Sequence, residues 1–213
     1  MNIAIVSEIS AMDKNDAIVE ALLPMKEKGH IIINAGMTKT QTATELTYID
    51  TGLISALLLN SGRADLVVGG CGTGQGFLNA VVQYPGVFCG LIESPLDAWL
   101  FSQINGGNCI SLALNKGFGW AGDVNLKFVF ERFFSVESGC GYPPHRSESQ
   151  KKSRGILASI SQATHLSFPE ILRKLDPSLV KRVLTFPGIK ETLQIETLKD
   201  AVLKETLTEL YAQ

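Results

Sequence analysis

Gly69-Gly70-Cys71-Gly72-Thr73-Gly74-Gln75-Gly76 follows the apolar run Leu66 to Val68 and opens into Phe77 to Val82, whose spacing is helical. The order reads strand, tight turn, helix. Glycines let backbone N–H groups converge on one point, and the positive end of the helix dipole faces the same place. Such a nest attracts an anion, and its field stabilises a thiolate on the cysteine at its entrance. Cys71 is therefore a candidate base or nucleophile beside an oxyanion pocket, and Thr73 either adds a hydroxyl donor to that pocket or bonds within the turn. The structural alternative makes Cys71 a small buried hydrophobe.

Two commoner glycine turns do not fit. A P-loop needs Lys and then Ser or Thr after its second spaced glycine, but Gln75 and Gly76 follow Gly74. A dinucleotide fingerprint reads G-x-G-x-x-G after the first strand, whereas Gly72, Gly74 and Gly76 form G-x-G-x-G after the third. No cofactor is expected.

Outward from this turn, strand and helix signals alternate. Asn2 to Ser7, His30 to Asn34, Asp65 to Gly69, Val87 to Ile92 and Cys109 to Leu114 read as strands. Lys14 to Lys28, Thr47 to Ser61, Pro95 to Gln103 and Ala121 to Phe134 read as helices between or after them. Five strands separated by helices predict an α/β fold with a parallel sheet covered on both faces. Ligands of such sheets sit at the carboxyl ends of the strands, where Cys71 lies.

Composition excludes several classes. The chain has 213 residues, 45% of them hydrophobic and 19% charged, enough for a substantial core. A net charge of −2 offers no basic face for nucleic acid. No apolar run approaches the roughly 18 residues of a membrane span, and Met1 to Ile9 shows neither basic leader nor cleavage site, so a cytoplasmic address is expected. Four irregularly spaced cysteines read as reduced thiols.

Beyond Phe134 the pattern changes. Glu137 to Ser149 is rich in Gly, Pro and Ser and predicts a loop, followed by short helices. Ser167-Phe168-Pro169-Glu170 has the form of a capping box, Asp176-Pro177 marks another helix start, and a last helix is predicted from Thr197 to Tyr211. Residues 1–149 thus predict an α/β domain and residues 150–213 a helical extension that acts as a cover or an oligomer contact.

Ala64 to Gly76, Glu93-Ser94-Pro95 and Ser102-Gln103-Ile104-Asn105-Gly106-Gly107-Asn108 resemble the ribose-5-phosphate isomerase B and galactose-6-phosphate isomerase family, over about Met1 to Arg146. The resemblance implies a Rossmann-like, three-layer α/β/α sandwich with a five-stranded parallel sheet. It further implies a homodimer or larger homo-oligomer with the active site at the subunit interface, no metal, and aldose–ketose isomerisation through an enediolate. In that family the cysteine matching Cys71 moves the proton, and the turn matching Gly72, Gly74, Gln75 and Gly76 binds the developing oxyanion. Aldose–ketose exchange needs such a base beside a carbonyl, with donors for the charge that forms on oxygen.

Other positions follow from the same resemblance. Tyr48 matches a substrate-side tyrosine, and Asn105 and Asn108 match amides that bind sugar hydroxyls or stabilise turns. Glu8-Ile9 stands where the family has an Asp-His pair, which keeps a carboxylate, and Glu8 is a candidate hydroxyl ligand or proton partner. Ile104 replaces the histidine that opens the cyclic sugar. The phosphate-gripping arginines lack a clean match, although Arg146 and Arg154 lie close by, and His145 or Arg146 is a candidate to reach a neighbouring subunit's pocket. Cys140 and His145 are too few ligands for zinc.

A 4-deoxy-5-keto uronate has no hydroxyl placed to close a five- or six-membered ring, so its aldehyde needs no ring-opening group. Its carboxylate would need a cation, for which a guanidinium is suited. The expected substrate is therefore a small sugar or uronate, with the uronate branch preferred to the sugar phosphates. A noncatalytic sugar-binding protein and a cysteine hydrolase are the competing classes, the latter weakened because no histidine stands at a recognisable base position.

Overall fold

The computed structural model describes residues 1–41 and 44–212. Five strands, β1 (Asn2–Val6), β2 (Ile31–Asn34), β3 (Leu66–Cys71), β4 (Cys89–Ile92) and β5 (Cys109–Ala113), form one parallel sheet in the order β2-β1-β3-β5-β4. Between them run α1 (Asn15–Glu27), α2 (Tyr48–Asn60), α3 (Gln75–Val81) and α4 (Pro95–Leu100), and α5 (Gly122–Phe133) follows β5. Helix α1 packs on α5 and α4 on α5 over one face of the sheet, and α2 packs on α3 over the other. The expected α/β class and five-stranded parallel sheet are what the chain forms.

The direction of winding reverses between β1 and β3. Neighbouring crossovers leave in opposite directions there, which opens a crevice beyond the carboxyl ends of both strands. Glu8 follows β1 and Cys71 ends β3, so the topology brings together residues 63 positions apart, Glu8 and Cys71, at one crevice.

Strand β3 runs two residues further than its sequence suggests. Gly70 and Cys71 continue the strand, paired with Leu112 and Ala113 of β5, and the approach is so close that a side chain at Gly70 would lie 2.3 Å from Leu112 O. Strand β4 starts two residues later than expected, at Cys89. The predicted helix from Pro95 narrows to α4 and then widens into a π turn, Phe101–Asn105.

Five further helices complete the chain: α6 (Ser147–Thr164), α7 (Phe168–Lys174), α8 (Pro177–Leu184), α9 (Ile189–Leu193) and α10 (Ala201–Tyr211). Residue 150, where the extension was expected to start, lies in the first turn of α6, and this 18-residue helix is not short. The last helix begins at Ala201 rather than Thr197, capped by Asp200, whose carboxylate accepts Val202 N at 2.9 Å and Leu203 N at 3.0 Å.

Helix α2 explains where the extension goes. Its residues Asp50 to Leu58 are all buried, which requires cover on both sides: the sheet on one and α8 on the other. Phe168, Leu172, Val180, Val183, Leu184 and Leu207 join the apolar cluster of Leu53, Ile54, Leu57 and Phe77. Buried Asp50 receives Arg182 Nε from α8 at 2.6 Å. Arg63 ties the same layer down through Leu193 O at 2.7 Å and Gln194 O at 2.9 Å. Burial, reinforced by the charge of Asp50, pushes the Tyr84 hydroxyl up to about 12.

All four cysteines are free thiols. Burial pushes the Cys109 thiol well up, with hydrogen bonding to Cys89 on the neighbouring strand adding to it. Among the described residues, no helix is long and apolar enough to cross a membrane.

Candidate active site

Cys71 is 7% exposed at the carboxyl end of β3, with its Sγ 4.0 Å from Thr73 Oγ1. Its carbonyl accepts Leu114 N at 3.0 Å and Gly74 N at 3.2 Å, which folds the chain back on itself. Gly74 makes the reversal with φ +75°, and a side chain there would also meet Leu91 Cδ1 at 2.5 Å.

The N–H groups of the turn divide into engaged and free ones. Gly72 N donates to Ser10 Oγ at 3.3 Å, Gly74 N to Cys71 O, and Gln75 N to Thr73 Oγ1 at 3.4 Å, a long bond. Among the described residues, the N–H groups of Thr73 and Gly76 have no acceptor. The nest therefore offers two free donors beside a thiol, and a weak third at Gln75. That set can hold an oxygen on which negative charge develops.

Tyr48 opens α2, where Thr47 and Asp50 form a capping box that fixes the first turn. A side chain at Gly76 would lie 3.1 Å from the Tyr48 ring, so the ring covers this part of the turn while 43% of the residue remains exposed. Glu8 is 3% exposed, and its carboxylate accepts Ser10 N at 3.0 Å and the Ser10 hydroxyl. Lys116, whose ammonium lies 2.7 Å from Glu93, adds a cation to the same edge.

The other expected residues lie elsewhere in the chain. Asn108 precedes β5 at the opposite, amino-terminal edge of the sheet. Its Oδ1 accepts Phe88 N at 2.8 Å and its Nδ2 donates to Gly86 O at 2.8 Å, which pins the approach to β4. Asn105 is exposed at the end of the π turn. It lines a cavity of about 490 Å³ with Ile104, Phe88, Cys89, Arg154 and Leu157. Arg154 holds that turn through Ile104 O at 2.9 Å and Gly139 O at 2.7 Å. His145 and Arg146 are exposed on a short turn before α6, and Arg146 Nε donates to Ser149 Oγ at 3.2 Å. Thus the chain brings together Glu8, Tyr48, Cys71, Thr73 and the glycine turn, and carries Asn105 and Arg154 as a second group.

Sequence reasoning passed over Ser10 and Asn115. A small hydroxyl residue two positions beyond a carboxylate at a strand end was the available signal for Ser10. Nothing in the sequence marks Asn115, whose contacts depend on the fold. Gln103, buried in the π turn, has an Nε2 without a partner among the described residues, and its Oε1 accepts the Cys140 thiol at 3.4 Å. Among the described residues, no three of His, Cys, Asp and Glu gather as a metal site would require.

A thiol, a two-donor nest and a sheet crevice form a site suited to reactions that develop charge on oxygen. The model of the ribose/galactose isomerase family matches residues 3–139, and the chain belongs to that family, whose members are aldose–ketose isomerases. A solved 4-deoxy-L-threo-5-hexosulose-uronate ketol-isomerase, complexed with a tartrate, is 37% identical with a TM-score of 0.95, each chain covered over 100%. A ribose-5-phosphate isomerase from Vibrio parahaemolyticus is 39% identical with a TM-score of 0.93, each chain covered over 99%. Ribose-5-phosphate isomerase B of Clostridium thermocellum, 22% identical with a TM-score of 0.61, shares the fold over 78% of this chain and 100% of its own. The remaining part of this chain has no counterpart in it.

Proposed function

We propose that this isomerase converts a 4-deoxy-5-keto uronate, of the 4-deoxy-L-threo-5-hexosulose-uronate type, between its aldose and ketose forms. The observation that carries the reading is the Cys71 thiol beside the free N–H groups of Thr73 and Gly76. As a thiolate, Cys71 takes the proton from the carbon next to the carbonyl, and the C–H electron pair becomes the carbon–carbon double bond of an enediolate. The former carbonyl oxygen takes the charge and is held by the turn. Cys71 then returns the proton to the former carbonyl carbon, the hydroxyl proton of the second oxygen passes to the first oxygen, and the second oxygen becomes the new carbonyl. Tyr48 covers the bound substrate.

The substrate class is supported by Ile104 in the position of the family's ring-opening histidine, and by full-length similarity to the uronate ketol-isomerase. Isoleucine carries no proton, and an open-chain keto uronate requires none there. A second reading, ribose 5-phosphate, draws on the similarly close Vibrio relative.

The assembly belongs to the same proposal. Helix α6 buries none of its residues and leaves Ile156, Leu157 and Ile160 about half exposed, as a face awaiting a second copy would be. In a homodimer, Asn105, His145 and Arg146 of one copy complete the Cys71 site of the other, and arginine grips the substrate's carboxylate. Residues 150–213 thereby divide between a partner-facing helix and a cover over α2. Offering the purified protein both substrates tests the assignment: efficient uronate turnover is expected, and turnover of ribose 5-phosphate alone would reject it.

A further inference from the structure

The Ser10 hydroxyl joins the Glu8 carboxylate to the Gly72 backbone. It donates to one oxygen of the Glu8 carboxylate and accepts from Gly72 N at 3.3 Å, while the other Glu8 oxygen accepts Ser10 N at 3.0 Å. A backbone N–H can only donate, so a lone pair of the Ser10 hydroxyl is turned to Gly72 and its proton points to Glu8. The far side of the same junction is also fixed. Ser10 O accepts Asn115 Nδ2 at 2.8 Å, and Gly72 O accepts Asn115 N at 3.0 Å and Lys116 N at 2.9 Å.

Gly72 is thus clamped at both its N–H and its carbonyl, immediately before Thr73, the first of the two free N–H groups. A glycine turn has no side chains of its own to hold its shape, so its aim depends on such clamps. We infer that Glu8 and Ser10 are positioning residues: Glu8 orients the Ser10 hydroxyl, and Ser10 holds Gly72 so that Thr73 N and Gly76 N stay aimed at the forming enediolate oxygen. Glu8 then contributes to the rate without touching substrate. The inference rests on the isomerase reading above and adds to it a division of labour between the ends of β1 and β3.

Kinetics of the full-length protein on the uronate, with a thermal midpoint for each variant, test it. Ser10→Ala is expected to lower kcat by about 10- to 100-fold, the range that a small misplacement of donors produces, with KM within about threefold and the midpoint unchanged. Ser10→Thr, which restores a hydroxyl, is expected to recover most of kcat. Glu8→Gln combined with Ser10→Ala should be no slower than Ser10→Ala alone, because both remove one relay. If Ser10→Ala does not fold, Ser10→Cys replaces it in the same cycle with the same expected pattern. Wild-type kcat in the Ser10 variant, no recovery in Ser10→Thr, or losses that multiply in the double variant would overturn the relay. A wild-type protein that turns over neither uronate nor ribose 5-phosphate would overturn the isomerase reading as well, so the two failures are distinguishable.

Discussion

Helices α8 and α10 begin with Asp176 and Asp200, whose carboxylates take up first-turn N–H groups, whereas α3 begins at Gly74, which has no side chain to offer. Asp176 accepts Ser178 N at 2.7 Å, and Asp200 accepts two N–H groups. In the extension these contacts serve the fold: α8 packs on α2, and α10 on α7. At the crevice, Thr73 and Gly76 keep free N–H groups beside a thiol. The contrast teaches that a helix start lined with glycine at a strand's carboxyl end is a place where stability has been left for a ligand to supply.

Putting a side chain into the uncapped turn is the most severe way to disturb this contrast. Gly74→Ala forces φ +75° on a residue with a Cβ, which costs about 1–2 kcal/mol, and shifts the donors next to it. A fall in turnover of about 100-fold is expected, with a thermal midpoint only a few degrees lower. On the other side, Arg182→Ala removes the cation that meets buried Asp50. Leaving a buried carboxylate without its partner typically costs 3–5 kcal/mol, and because Arg182 is 39% exposed about 2 kcal/mol is expected in denaturant unfolding. Turnover per folded molecule should stay at the wild-type level. Asp200→Ala, which uncaps α10, should lower stability by about 1 kcal/mol and again leave kcat alone.

Acid should separate the two regions more gently. Hydrogen bonds from Ser167 hold the Glu170 carboxyl below its usual range, and those from Ser178 do the same for Asp176. A carboxyl whose folded value is depressed contributes its full stabilisation above the unfolded value and loses it as pH falls through the folded one. Amide exchange across residues 167–184, corrected for its intrinsic pH dependence, should therefore rise on acidification below the ordinary carboxylate range, before the sheet amides respond.

The alternation of strands and helices is readable because the parallel strands are short apolar runs, most deeply buried in β1, β3 and β5, and the helices between them are periodic or capped. Elements misjudged by two residues, β3 and β4, depend on tertiary contacts: Gly70 continues a strand only because Leu112 lies against it. Helix α6 starts inside the loop expected through Ser149 and outruns the short helices expected after it, because none of its residues is buried and no core-facing stripe marks its extent. The all-round apolar α2 was the available sign that a second layer would cover it. In the site, Cys71 and the glycine turn were legible as a local motif. Asn108 matched a family position, yet its amide is engaged with Phe88 and Gly86 on the far edge, a placement that only the parallel register reveals. Ser10 and Asn115 act through contacts spanning 62 and 105 positions, which no local pattern encodes.

In the proposed mechanism the Cys71 sulfur carries the proton between adjacent carbons. Isomerisation of the uronate in deuterium oxide, followed by mass and NMR detection of deuterium on the carbon beside the carbonyl, tests it most directly. The wild-type protein should place solvent deuterium there, and Cys71→Ala, folded with an unchanged thermal midpoint, should lose that exchange together with at least a hundredfold of turnover. Undiminished exchange in Cys71→Ala would contradict the account.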